Sequence, residues 1–179
     1  MSGFEEWLVN HKIPVGKWGE SFFDFLIDNF AGFFDAITDG GSFLIDGSVD
    51  LLLLVPSAIL ILLVTVLAQY LQRSWKLSLF VVLSLLFIIN LGYWEETIES
   101  LVLVVYATVV CMLVGVPIGI AAAHRPWLFS LLRPVLDLLQ TIPTFVYLIP
   151  AMTLFGLGMV PALVATVIFA IAAPVRLTH

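Results

Sequence analysis

The chain has 179 residues, of which 61% are hydrophobic and 11% are charged, and its mean hydropathy is +1.13. Soluble domains carry about 25% charged residues, so this chain has too few polar side chains to cover a water-soluble globule. Seven Lys and Arg against thirteen Asp and Glu give a net charge of −6, which repels nucleic-acid phosphates. The remaining class is a polytopic membrane protein.

Residues 1–50 are an acidic head with nine carboxylates and two lysines. Within it, residues 18–39 place carboxylates on one arc and aromatic or aliphatic side chains on the rest, which predicts an amphipathic helix at the outer membrane surface or against the bundle. Its acidic side is either a solvated face or a docking face for an extracytoplasmic partner, with Glu20, Asp24 and Asp28 as candidate contacts. Glycine-containing runs at residues 39–42 and 46–48 predict a loop before the first span.

Residues 51–179 form a membrane domain built from apolar runs. A helix needs about 20 apolar residues to cross a hydrocarbon core of about 30 Å. Charged residues, prolines and a Gly-Leu-Gly turn interrupt the runs. The sequence therefore predicts five transmembrane helices, at about 51–71, 77–94, 98–123, 135–155 and 160–175.

The cations of the membrane domain predict its orientation. Arg73 and Lys76 follow the first span, Arg125 and Arg133 follow the third, and Arg176 follows the fifth. All five fall on one side, which the positive-inside rule makes cytoplasmic. We therefore expect a multi-pass protein of the plasma (cell inner) membrane, with its N-terminus outside and its C-terminus in the cytoplasm.

The sequence contains no enzyme motif, so we expect no catalytic residue and no cofactor in this chain. Gly16 and Lys17 lack the further glycine and the hydroxyl residue of a phosphate loop. The three histidines are far apart in sequence and are not expected to bind a metal. Cys111, the single cysteine, lies inside the third span, where a packing role is expected, and it excludes an intramolecular disulfide.

The fourth predicted span combines prolines with polar side chains. These residues are the candidates for a translocation path: Gln140, Thr141, Pro143, Thr144, Tyr147 and Pro150. Each proline removes a backbone donor and kinks a helix, and freed carbonyls are costly in lipid unless a neighbour or a polar cavity satisfies them. Two interpretations stay open: a lining of the path, or a kinked packing helix whose hydroxyls bond back to its own backbone.

Asp137 lies near the cytoplasmic start of the fourth span, four residues after Arg133. Carboxylates within a membrane often mark a transport pathway. The structural alternative is a salt bridge with Arg133 or snorkelling to the interface.

The segment from Leu139 to Pro150, with residues 154–158, 165–170 and 174–178 after it, resembles the permease of glycine betaine/proline betaine ABC importers. The likeness is specific over about residues 100–179. The acidic, aromatic head is similar in character to the long external N-terminal tail of those permeases.

The resemblance implies an all-α polytopic membrane helix bundle of the type I ABC importer kind. It also implies alternating access driven by a cytoplasmic ATPase pair, and a second permease copy in a homodimer within the lipid bilayer. An extracytoplasmic substrate-binding protein would deliver glycine betaine, proline betaine or choline.

Permeases of this family continue past an Arg-Leu-Thr segment into a cytoplasmic coupling loop, whereas this sequence ends at His179. The expectation is therefore the N-terminal part of a permease. The alternative function is a truncated, non-transporting membrane remnant or scaffold that lacks the ATPase-coupling loop.

Overall fold

The computed structural model describes residues 15–179, so the first 14 residues of the predicted head lie outside the described part. The described residues form helices and turns without a strand, which confirms the predicted all-α helix bundle. The helices are α1 Val15–Leu53, α2 Ser57–Gln72, α3 Trp75–Leu91, α4 Trp94–Ala123, α5 Pro126–Thr141, α6 Thr144–Phe155, α7 Met159–Ala170 and α8 Ala172–Thr178.

Helix α1 contains the predicted amphipathic segment, is kinked within it at Phe30, where φ is −126° and ψ is 16°, and continues well beyond it, to Leu53. The predicted loop at residues 39–42 and 46–48 is therefore wrong, because both runs are helical. Gly41 lies at a close contact between α1 and α7 and not in a turn. A Cβ at this position would lie only 2.9 Å from Cγ2 of Val160 on α7, so the contact requires a residue without a side chain. Packing against the bundle thus outweighs the low intrinsic helix propensity of glycine, about 1 kcal/mol per residue.

The largest buried cluster lies where α1, α4 and α7 meet. Ile45 and Val49 of α1 pack with Ile98 and Val102 of α4 and with Val160 of α7. A smaller cluster joins α5 to α8. Helix α4 packs on α1, α5, α7 and α8, so it is the centre of the described bundle.

Helices α4 and α8 approach each other through two glycines. A Cβ on Gly115 would lie 2.7 Å from Cγ of Pro174, and a Cβ on Gly119 would lie 2.7 Å from the carbonyl oxygen of Val175 and would clash with the hydroxyl of Thr178. Glycines four residues apart let helix backbones come close in a membrane. The pair therefore fixes where α8 lies along α4.

The membrane-crossing candidates differ in shape. Among the described residues, α4 alone and α7 with α8 are long and apolar enough to cross a membrane. The chain turns by 95° between α1 and α2 and by 96° between α5 and α6. If each of these bent pairs counts as one span, the described residues contain up to four spans. Helix α3 is a shorter apolar helix. The first and fourth predicted spans each lie across one of these bends, and the division into a head and five spans stays a prediction.

Candidate functional site

The predicted path residues lie around the bend between α5 and α6. Pro143 has no N–H, so the carbonyl of Leu139 loses the donor that a continuous helix would supply. The hydroxyl of Tyr147 donates to this carbonyl at 3.1 Å and thus takes the place of the missing N–H. The N–H of Ile142 still donates to the carbonyl of Leu138 at 3.1 Å, so the chain itself supplies a donor to both of these carbonyls at the bend.

The remaining path candidates differ in their surroundings. The hydroxyl of Thr141 donates to the carbonyl of Leu138 at 3.0 Å, a bond of the kind expected from a packing helix. Gln140 and Thr144 are exposed, and Pro150 is half-buried. Thr144 lines a cavity of about 140 Å³ between α6 and α7. Gln140 and Thr144 are therefore the candidates with polar groups available to a solute, and the path assignment stays a prediction.

Asp137 forms an ion pair with Arg176 of α8, 39 residues further along the chain. Arg133, the partner expected from sequence spacing, does not form this pair among the described residues. The two side chains are 54% and 38% exposed, so water and headgroups reach them. The positive-inside pattern predicted that Asp137 and Arg176 lie on the same, cytoplasmic side of the membrane. This shared side was the one sequence signal that the two residues could meet.

A ring contact supports the same junction of α5 and α8. The rings of Phe129 and His179 stack with their centroids 3.5 Å apart and their planes at 16°. Together with the ion pair, this stack attaches the end of α8 to α5 at two points. The carboxylate of Asp137 therefore has a structural use in this junction.

Five of the seven carboxylates of α1 fall into two groups by their position along the helix. Glu20, Asp24 and Asp28, the predicted docking face, are exposed. Asp35 and Asp39, further along the helix, are exposed as well and line an open cavity of about 440 Å³ between α1 and the C-terminal end of α6. Sequence reasoning placed all five on one arc and could not separate the two groups, because the cavity depends on where α6 ends.

Within residues 15–179, no three His, Cys, Asp or Glu side chains lie close enough together to hold a metal ion. The expectation that the chain carries no cofactor stays a prediction. The side chains described above can form hydrogen bonds, ion pairs and aromatic contacts with a solute, and these interactions are typical of binding and transport.

Comparison with known proteins gives a consistent result. Residues 115–179 match the family of binding-protein-dependent transport system inner membrane components. The chain is 38% identical over 167 residues to the glycine betaine transport system permease protein OpuAB of Bacillus subtilis. It is 39% identical over 170 residues to the glycine betaine/carnitine transport permease protein GbuB of Listeria monocytogenes. It is 34% identical over 175 residues to the glycine betaine/proline betaine transport system permease protein ProW of Escherichia coli.

These similarities cover 93%, 93% and 94% of this chain, but 59%, 60% and 48% of the three relatives. The chain therefore spans about half of the length of the curated relatives that it matches. The resemblance to betaine permeases predicted from the sequence is confirmed, and the apolar helices agree with a multi-pass membrane protein. Residues 115–179 therefore carry a domain of the binding-protein-dependent transport system inner membrane component family, and the chain as a whole is similar to betaine permeases.

Proposed function

We propose that the chain is the permease component of an ABC importer for quaternary ammonium compatible solutes such as glycine betaine, proline betaine or choline. The observation that carries the proposal is the similarity to three betaine permeases along at least 93% of the chain. A permease moves its solute without changing it chemically, so ATP hydrolysis belongs to a separate subunit.

The proposed partners follow from the family. A binding-protein-dependent system requires an extracytoplasmic protein that delivers the solute and a cytoplasmic ATPase pair that drives alternating access. A second permease copy would complete the path in the bilayer. The exposed carboxylates Glu20, Asp24 and Asp28 are the proposed contacts for the binding protein.

The proposed path follows the bend between α5 and α6. Irregular backbone at membrane depth is tolerated where it is buried in protein or lines a water-filled cavity, and interrupted helices line solute sites in several transporter folds. The 96° bend and the exposed Gln140 and Thr144 support a path at this position.

The proposed orientation rests on the charges at the two ends of α4. Glu95 and Glu96 lie in its first turn, and His124 and Arg125 follow its last residue. The basic end is cytoplasmic under the positive-inside rule. Reporter fusions at Ser74 and Glu96 are expected to report the cytoplasm and the outside respectively, and the reverse result would contradict this orientation.

Solute uptake tests the proposed function. Cells without betaine uptake of their own would receive this chain with its ATPase and binding protein, and uptake of radiolabelled glycine betaine would be measured under osmotic stress. We expect uptake above that of cells with the two partners alone. Absence of uptake, with the chain detected in the membrane, would favour the non-transporting scaffold.

A variant pair tests the proposed path within the same assay. Gln140→Leu removes a polar side chain at the bend, and Gln72→Leu makes the same change at the end of α2. We expect reduced uptake only for Gln140→Leu at equal membrane levels. Equal uptake by both variants would remove Gln140 from the path.

A further inference from the structure

The hairpin formed by α2 and α3 packs chiefly on itself, and its main contact with the rest of the described bundle joins α3 to α4. Ile61 is its one buried side chain, and α3 has no buried residue. Neither helix contains a glycine. Small residues mark the faces on which helices pack in a membrane. The large aliphatic and aromatic side chains that cover this hairpin therefore favour lipid as its neighbour.

The turn between α2 and α3 carries groups that are complementary to lipid headgroups. Arg73 and Lys76 are exposed there, and in the described part of the chain neither forms an ion pair with a carboxylate. Lysine and arginine are attracted to the negatively charged groups of a membrane surface. Tyr70 and Trp75, which are also exposed, are of the two residue types enriched where the hydrocarbon meets water. This end of the hairpin therefore fits the headgroup layer.

The two helices are short for a membrane crossing. Helix α2 has 16 residues and α3 has 17. At a rise of 1.5 Å per residue they are about 24 and 26 Å long, and any tilt shortens the crossing further. The hydrocarbon core of a typical bilayer is about 30 Å thick. The hairpin therefore does not reach across a typical core.

Tertiary structure prevents either helix from becoming longer. The chain turns by 95° before α2, so the apolar residues of α1 do not extend the direction of α2. Helix α3 ends at Gly92, where φ is 81° and the helix stops. Helix α4, with 30 residues, is about 45 Å long and has no such shortfall. The mismatch with the bilayer is therefore a property of the hairpin.

We propose that the α2–α3 hairpin is a lipid-contacting surface that fits a hydrocarbon layer of about 25 Å, so that phospholipids with short acyl chains are its preferred partners. A span shorter than the hydrocarbon core thins the bilayer beside it, and short acyl chains remove the cost of that thinning. The preference is independent of the solute that the chain moves. It requires both helices to cross the bilayer, so reporter fusions at Ser74 and Glu96 that report the same side would overturn it.

Lipid competition on the full chain in phosphatidylcholine vesicles tests the preference. A fluorophore is attached to Leu83→Cys in the middle of α3, and Cys111→Ala removes the natural cysteine. Brominated phosphatidylcholine quenches the fluorophore, and unbrominated lipids compete for the same positions. We expect short-chain dimyristoleoyl phosphatidylcholine to relieve the quenching about twofold better than long-chain dierucoyl phosphatidylcholine.

The matched control is the same fluorophore on Val109→Cys in the middle of α4. Leu83 and Val109 are 58% and 48% exposed, so both labels are open to lipid. We expect no preference for the short-chain lipid at position 109, because α4 is longer than the core is thick. Equal preference at the two positions would overturn the proposal. Absence of quenching at position 83 would show that protein, such as a second copy, covers the hairpin, and would also overturn it.

A lengthened hairpin distinguishes thickness from other properties of the short-chain lipid. Four apolar residues inserted after Leu63 in α2 and four after Leu86 in α3 add about 6 Å to each helix. With the label at position 83, we expect the preference for the short-chain lipid to disappear. An unchanged preference in a chain that circular dichroism shows to be helical would contradict the proposal. If the lengthened chain does not fold, the comparison of positions 83 and 109 decides the proposal without it.

Discussion

The α4–α8 pair and the hairpin of α2 and α3 are both strongly apolar, but they are packed in different ways. Helices α4 and α8 touch through Gly115 and Gly119, where even a methyl group would collide with the neighbouring helix. In the hairpin, Ile61 is the one buried side chain, and residues such as Leu62 and Phe80 are exposed. Small residues, and not overall hydropathy, therefore mark the helix faces that pack on protein in a membrane, because lipid is as apolar as leucine.

The largest expected effect comes from filling the close contact of the α4–α8 pair. Gly119→Leu would force α8 away from α4, and we expect a loss of about 3 kcal/mol, at the upper end of overpacking penalties. Thermal unfolding of the purified chain in detergent, followed by circular dichroism, would measure it.

The matched control is Gly47→Leu on α1, where a Cβ meets no atom within 4 Å. We expect this control to unfold at or above the temperature of the unmodified chain, because leucine has the higher helix propensity. Equal destabilisation by both substitutions would show that the α4–α8 contact is not specific.

A smaller effect is expected where a single side chain supports the bend between α5 and α6. Tyr147→Phe keeps the ring and removes the hydroxyl that bonds to the carbonyl of Leu139. We expect a loss of about 1 kcal/mol, typical of one hydrogen bond. Tyr70→Phe, an exposed tyrosine of the hairpin, is the control and should unfold like the unmodified chain. An equal melting temperature for Tyr147→Phe would show that the bend does not depend on this bond.

The ion pair at the end of α8 should contribute less than the hydroxyl bond. Asp137→Asn and Arg176→Gln, singly and together, form a double-mutant cycle with an expected coupling of about 0.5 kcal/mol, because both side chains are partly exposed. The coupling should fall as salt is added.

The same cycle with Arg133→Gln distinguishes the two possible partners of Asp137. We expect no coupling in this second cycle. A larger coupling with Arg133 than with Arg176 would support the partner expected from sequence spacing and contradict the structure.

The smallest effect is expected within the hairpin itself. The hydroxyl of Ser78 on α3 donates to Oε1 of Gln69 on α2 at 2.7 Å, in an exposed position. Ser78→Ala should change stability by about 0.5 kcal/mol or less, because water or headgroups replace this bond. A loss as large as that of Gly119→Leu would show that the hairpin is packed as tightly as the α4–α8 pair.

Part of the candidate site could be predicted from the residues themselves. Pro143 predicted a kink, and the structure has a 96° bend at that position. A proline can be read directly from the sequence, and it removes the hydrogen bond to the carbonyl four residues earlier. Gly40 and Gly41 predicted a turn, and this was wrong, because the same residue type also allows close helix contacts. Spacing pointed to Arg133 as the partner of Asp137, whereas α8 brings Arg176 to it.

The sequence alone determined the membrane class, the helical fold and the similarity to betaine permeases. The composition gives the membrane class, and the motifs give the similarity to betaine permeases. The helical fold follows because backbone groups in lipid must form hydrogen bonds within their own segment. Each of these conclusions needs only residues that are close together in the sequence. Only the tertiary structure decided that α1 docks on α6 beside an open cavity, and that α8 packs along α4. Such contacts join residues as far apart as Thr38 and Phe155, 117 positions along the chain, and depend on how every helix between them is placed.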